Sequence, residues 1–224
     1  QTVAVENCSV SGYHVEYTGN GGLGYAIGGL AGFSFGKVSY SSAVCNVYGK
    51  NTSASVEGRI GGLIGSMNGQ SSITNCYTGG TIYASTSAII GGISGGYAQT
   101  WGYLDGNANA RKMTIKNCYS YCTLNKNNLT GTYAYNVYPV AVASSDYVLT
   151  VEKCYYLKDT MTYVNTQYMN GVSGKSYDEL CKIEFKDDDG KTISDKLPEY
   201  PFPAIVKGTN GEFVHYGAWP SKTS

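Results

Sequence analysis

The sequence predicts an all-β fold: a parallel β-helix (β-solenoid) of about four to five coils, closed by a carboxy-terminal cap containing one short helix. Three observations predict it. The six-letter blocks IGGLAG at 27–32, IGGLIG at 60–65 and IGGISG at 90–95 recur at a near-constant interval. A second block alternates with them: ENCSVSG at 6–12, AVCNVYG at 43–49, TNCYTGG at 74–80, KNCYSYC at 116–122 and EKCYYLK at 152–158. The composition, with 30 Gly, 22 Tyr and 5 Pro in 224 residues, fits short strands joined by tight turns. Self-similarity at such a period, in β-like text, is how a stacked-coil protein reads.

The opening residues run straight into repeat-like text, TVAVENCSVSG, which reads as a piece of something larger. From Cys8 the two blocks alternate strictly. Cys8 precedes Gly28, Cys45 precedes Gly61, Cys76 precedes Gly91, and Cys118 precedes an altered glycine block at Val137-Tyr138-Pro139-Val140. Stretches such as Ser72-Ile73-Thr74-Asn75-Cys76-Tyr77 read as strands of period two, which sends Cys76 to one face and Tyr77 to the other.

Stacking then predicts columns of like residues. Cys8, Cys45, Cys76, Cys118 and Cys154 are expected as an inward ladder, since free cysteine buries readily as a small hydrophobe. Ile27, Ile60, Ile90 and Val137 form a second row, and Leu30, Leu63, Ile93 and Val140 a third. The paired glycines are expected at sharp corners, at positive φ, or where backbones approach closely. Tyr138-Pro139 marks where the regular stack ends, because proline donates no ladder hydrogen bond. Tyr77, Tyr119 and Tyr155 each follow a block cysteine and are expected to face outward, as a sheet-stabilising ladder or an aromatic strip for sugars or proteins.

The repeats are expected over 1–157 and the cap over 158–224, packed on the last coil. Within the cap, SGKSYDELCKI at 173–183 predicts a short helix starting near Ser173 or Ser176, with Leu180 facing the body. KDDDGK at 186–191 predicts a turn.

The interleaving of an NCY block with a GGLxG block resembles the GLUG-motif repeats of bacterial cell-surface proteins, over roughly residues 1 to 157. The sequence departs from that pattern where Val44 precedes Cys45, Lys153 precedes Cys154, and the fourth glycine block is lost. The resemblance implies a β-solenoid in a large secreted or surface-anchored protein, such as an adhesin or the amino-terminal region of an immunoglobulin-A-cleaving metallopeptidase. It implies an extracellular, bacterial-surface location.

The residues argue against most chemistry. Lys+Arg and Asp+Glu balance at 16 each, so no basic field draws nucleic acid. No apolar run is long enough for membrane insertion. The glycine blocks lack the GxGxxG spacing of a dinucleotide loop. His14 and His215 carry no HExxH pattern, the seven cysteines form no paired CxxC set, and Asp187, Asp188 and Asp189 read as a turn rather than a calcium loop. The acids of the repeat region, Glu6, Glu16, Glu57, Asp105, Asp146 and Glu152, are too scattered for a glycosidase pair. No catalytic residue, metal site or cofactor is expected, and the domain is expected to be monomeric. One connection is long: after Gly95 some ten residues, roughly, are inserted, as tolerated insertions on solenoids are. This insertion holds Tyr97, Trp101, Tyr103, Asp105 and Arg111, the expected site for a host glycan or protein. The alternative for the insertion is a packing flap; the alternative for the function is a non-catalytic accessory region of a large secreted peptidase or glycan-degrading enzyme.

Overall fold

A computed structural model describes residues 4–19, 24–51, 58–84, 88–97, 112–126, 136–142, 148–161, 164–165, 170–197, 201–206, 208–209 and 212–213. The first coil is β1 (Ala4–Glu6), β2 (Ser9–Gly19), β3 (Tyr25–Gly28) and β4 (Ala31–Ser34). The second is β5 (Lys37–Ser39), β6 (Ser42–Asn51), β7 (Gly58–Gly61) and β8 (Ile64–Met67). The third is β9 (Ser72–Thr74), β10 (Tyr77–Gly79), β11 (Thr81–Ala84) and β12 (Ile89–Gly91). The fourth is β13 (Lys112–Lys116), β14 (Tyr119–Ser120), β15 (Thr123–Lys126) and β16 (Val137–Tyr138). A fifth opens with β17 (Val148–Glu152) and β18 (Cys154–Leu157), and β19 (Val172–Lys175) pairs beside β18.

Like strands stack in parallel. One sheet runs β1-β5-β9-β13-β17, another β3-β7-β12-β16, and the eight-stranded sheet joins β2, β6, β10, β11, β14, β15, β18 and β19. The chain is therefore a β-solenoid, as the repeats predict. The two aliphatic rows form as expected. Ile27 pairs with Ile60, Ile60 with Ile90 and Ile90 with Val137. Leu30 N donates to Leu63 O at 2.9 Å, Leu63 N to Ile93 O at 2.9 Å, and Ile93 N to Val140 O at 2.9 Å. Burying one such side chain contributes about 1.5–3 kcal/mol, so repetition along a column is what stabilises a coil too short to fold alone.

The glycine blocks serve close approach and not positive φ. Among the described residues the positive-φ glycines are Gly12, Gly69, Gly80, Gly96, Gly171 and Gly190, all outside the GGLxG blocks. A Cβ on Gly61 would instead overlap Ile64 O of its own turn and lie 2.7 Å from Ser94 Cα of the next coil. Tyr138 replaces this glycine in the fourth coil, on the edge strand β16. A side chain fits there because no described strand packs beyond it.

The corner before each ladder residue is left-handed: Asn7, Tyr40, Asn75, Asn117 and Lys153 have φ of 58°, 47°, 55°, 51° and 49°. Asparagine tolerates this region better than other L-residues, which explains the Asn of the NCY block. It also breaks the expected single strand at 72–77 into β9 and β10. Asn117 Nδ2 donates to Asn75 Oδ1 at 3.1 Å, tying two corners together.

This corner corrects the cysteine ladder. Ser42 pairs with both Ser9 and Tyr77, so the residue equivalent to Cys8 and Cys76 is Ser41, not Cys45. The column reads Cys8, Ser41, Cys76, Cys118, Cys154. Each member donates to the carbonyl two residues before it: Ser41 Oγ to Ser39 O at 2.8 Å, and the thiols of Cys8, Cys76, Cys118 and Cys154 to Glu6 O, Thr74 O, Lys116 O and Glu152 O at 3.6, 3.2, 3.2 and 3.3 Å. Cys45 lies four residues further on, where Gly80 packs on its backbone, in the column of Cys122.

The tail holds α1 (Tyr177–Leu180), β20 (Ser194–Lys196) and β21 (Pro203–Ile205). Ser176 caps α1 in a reciprocal box with Glu179, and Leu180 is fully buried. Ser173 belongs to β19. Residues 186–191 form the expected turn, with Asp187 Oδ1 accepting from Asp189 N and Lys191 N. The tail lies against the side of the eight-stranded sheet, where Leu180, Phe185, Phe202 and Ile205 cluster on Tyr77 and Tyr119. It is a lateral roof across several coils, while the expected packing on the last coil is made by β19, paired with β18, and by α1 beside them.

Candidate functional site

Four regions are candidates, and the first of them, the outward tyrosines, differs from expectation. Tyr77 and Tyr119 do point away from the coil interior, but they are 2% and 0% exposed. Their rings stack at 5.2 Å between centroids with planes 9° apart, and Phe185 stacks on Tyr119 at 5.5 Å. The Tyr119 hydroxyl donates to Pro203 O of the roof. Burial pushes this phenol well above its ordinary pKa. Tyr155 is partly buried, its edge against Phe185. The outward aromatic strip is thus an internal seam between coil and roof. Sequence alone carried the direction of these rings but not what covers them.

Of the residues expected on the insertion, Tyr97 is 3% exposed and bridges Met67 of the preceding coil, as a core residue. Trp101, Tyr103, Asp105 and Arg111 lie outside the described residues.

The seam covers only half of the eight-stranded sheet. The other half, from 14–19 through 46–50 to 81–84 and 123–125, presents Tyr48, Tyr83, Thr123 and Asn125 as partly or fully exposed side chains. His14, Tyr48 and Tyr83 form a ring ladder across three coils, with centroids 4.6 and 5.9 Å apart. Beside it, Glu16 accepts from Lys50 Nζ at 3.0 Å, Thr18 Oγ1 at 2.9 Å and His14 Nε2 at 2.8 Å. The Lys50 ammonium, followed by the Thr18 and His14 bonds, holds this carboxyl down at about 2. Such an exposed, screened trio sets side-chain direction more than stability. His14, Glu16 and Thr18 alternate along β2 and so share a face, whereas Lys50 of β6 joins them only through register, which no sequence motif marks.

The fourth region is a hollow of about 350 Å³ at the first coil, lined by Val5, Leu30, Ala31, Phe33, Phe35 and Ile64 among others. Phe35 is 57% exposed.

The thiols contribute little reactivity. Desolvation pushes Cys118 and Cys154 well above their ordinary pKa, Cys122 to about 11, and Cys45 upward. A thiol kept protonated and enclosed is a poor nucleophile. Of the seven cysteines, Cys8 and Cys181 are partly exposed and the rest buried. In native protein, a maleimide reagent is expected to label Cys8 and Cys181 alone, with the other five reacting only after denaturation. Fast native labelling of Cys118 would contradict the buried column. Among the described residues, no three His, Cys, Asp or Glu side chains converge as metal ligands. No described helix is long and apolar enough to cross a membrane.

No family model matches the sequence, and no curated protein matches it. Among solved structures the fold is similar to a crystal structure from Bacteroides ovatus described as a "putative immunoglobulin A1 protease". The TM-score is 0.52 at 20% identity, over 85% of this chain and 57% of that one. The likeness establishes a common solenoid fold. This chain spans a little over half of that longer protein's length.

Proposed function

We propose that this chain is a non-catalytic, GLUG-type module of a secreted or surface-anchored bacterial protein. It acts as a rigid spacer carrying a binding surface, either in an adhesin or as the accessory region of a larger peptidase or glycan-degrading enzyme. The observation that carries this reading is where the potentially reactive side chains go. Five thiols are enclosed, two repeat tyrosines are sealed under the roof, and Glu16 is tied to Lys50 and His14. What remains outward is stiff, polar and aromatic surface on a fold that resists bending, which suits display rather than turnover.

The likeness to a longer, protease-described chain favours the accessory form over the free-standing adhesin, since it covers 57% of that chain. The insertion residues Trp101, Tyr103, Asp105 and Arg111 remain the proposed ligand contacts, for a host glycan or protein, because aromatic and Arg side chains clustered in a segment inserted into a regular repeat suit recognition. Tyr97 anchors that insertion to the core.

The test has two arms. Purified chain incubated with immunoglobulin A1 and with a panel of polysaccharides is expected to leave all of them intact; cleavage of any would overturn the non-catalytic reading. On glycan and serum-protein arrays the chain is expected to retain specific ligands and to lose them with Trp101→Ala. Retention unchanged by that substitution would remove the insertion as the site.

A further inference from the structure

The first coil is where the inner columns come to a stop. Val5 leads the column Val5, Val38, Ile73, Ile115, Val151, and Leu30 leads Leu30, Leu63, Ile93, Val140. One rung in, Val38 is 2% exposed and Leu63 is 0%. Val5 and Leu30 themselves are only partly covered, and the apolar hollow opens between them. Among the described residues, β1, β2, β3 and β4 each pair with one neighbour, on the second-coil side.

We infer that the β3–β4 edge of this coil is a docking site for an extended polypeptide strand of the repeat's own GGLxG pattern, added in parallel as one more rung. The argument is continuity with the coil–coil interface already repeated beneath it. At each interface the two N–H groups of a turn converge on one carbonyl of the next coil. Leu30 N and Ala31 N donate to Leu63 O, at 2.9 and 3.2 Å. Leu63 N and Ile64 N donate to Ile93 O, at 2.9 and 3.1 Å. Ile93 N and Ser94 N donate to Val140 O, at 2.9 and 3.0 Å. The same position on the first coil is Leu30 O. An occupant must therefore bring two adjacent backbone N–H groups, a turn without a Cβ to clash, and one branched apolar side chain for the hollow.

A helix has its N–H groups engaged within itself, and a sugar lacks both the spacing and the apolar knob. An extended strand supplies all three, with main-chain bonds giving affinity and the hollow giving selectivity. Charge agrees: the lining holds a single ionisable residue, Lys37, so a neutral apolar strand is matched and an acidic or basic one is not. This docking face stands whether the chain serves an adhesin or a peptidase, because its lining uses none of the proposed ligand contacts.

The probe is a labelled synthetic peptide with blocked ends copying residues 60–70, IGGLIGSMNGQ, added to the full chain and followed by fluorescence anisotropy. Saturable binding is expected, weakened about tenfold or more by Leu30→Glu and measurably by Phe35→Ser, which alters an exposed ring and spares the core. Tyr177→Ser, on the distant roof, is expected to leave it unchanged. A scrambled peptide of the same composition should not bind. Absence of saturable binding, equal binding of the scrambled peptide, or indifference to both Leu30→Glu and Phe35→Ser would overturn the assignment. So would sedimentation equilibrium showing that the face is occupied by a second copy of this chain, with Leu30→Glu restoring the monomer.

Discussion

Gly61→Ala is expected to abolish the cooperative unfolding transition or to lower stability by more than about 4 kcal/mol, a rare size for one methyl group. The cost is spatial. The new Cβ would overlap Ile64 O and sit 2.7 Å from Ser94 Cα, and neither atom can rotate aside because both are backbone. Relief requires the second and third coils to separate. That stretches the bonds from Gly62 N to Gly91 O at 3.2 Å and from Leu63 N to Ile93 O at 2.9 Å, and it opens the packing of Leu63 on Ile93. Several bonds at roughly 1 kcal/mol each, plus a loosened aliphatic column, reach the expected size. Gly12→Ala is the internal control. Gly12 has φ of 68° but nothing within 4 Å of an added Cβ. It should lose only about 1–2 kcal/mol, the ordinary cost of a left-handed L-residue. Chemical denaturation of both variants separates the two effects. Equal losses would mean that the GGLxG glycines are kept for conformation and not for coil spacing.

The same contrast shows what the sequence could and could not reveal. Columns that repeat a letter were legible, because stacking in register places like on like: Ile27, Ile60 and Ile90 needed no further information. Register itself was less legible. Aligning cysteines placed Cys45 in the ladder, whereas backbone geometry places Ser41 there, after the left-handed corner at Tyr40. Two residues, Phe35 and Gly36, join Ser34 to Lys37, while four, from Asn68 to Ser71, join Met67 to Ser72. That unequal turn shifts the second coil against a simple count of spacing, and a slip of this kind is decided by turn geometry. The direction of the block tyrosines was legible from strand alternation. Their burial was not, because it depends on a segment that repeats nothing and finds them from far along the chain.

That segment sets the second large effect. Tyr119→Ala is expected to destabilise the protein by about 3–5 kcal/mol, the range for removing a large buried aromatic. The ring is 0% exposed, stacked between Tyr77 and Phe185, and its hydroxyl bonds the carbonyl of Pro203. Its loss leaves a void on the coil side and removes the roof's central seat together. The roof has other anchors: Asn117 Nδ2 donates to Lys186 O at 3.2 Å, and Lys116 Nζ meets Asp188 at 2.6 Å. The second of these is an exposed pair worth little by itself. Tyr119→Phe keeps the ring and removes only the hydroxyl, leaving Pro203 O without that donor, so it should cost about 1–3 kcal/mol. If the roof is held by the aromatic seam, Tyr119→Ala should also raise amide exchange at Phe185, Ile193 and Ile205 while the inner strands β9 and β13 stay protected. Uniform loss of protection would make Tyr119 part of the coil core proper. Unchanged exchange in the roof would place its attachment elsewhere, at the Asn117 corner and the α1 packing of Leu180.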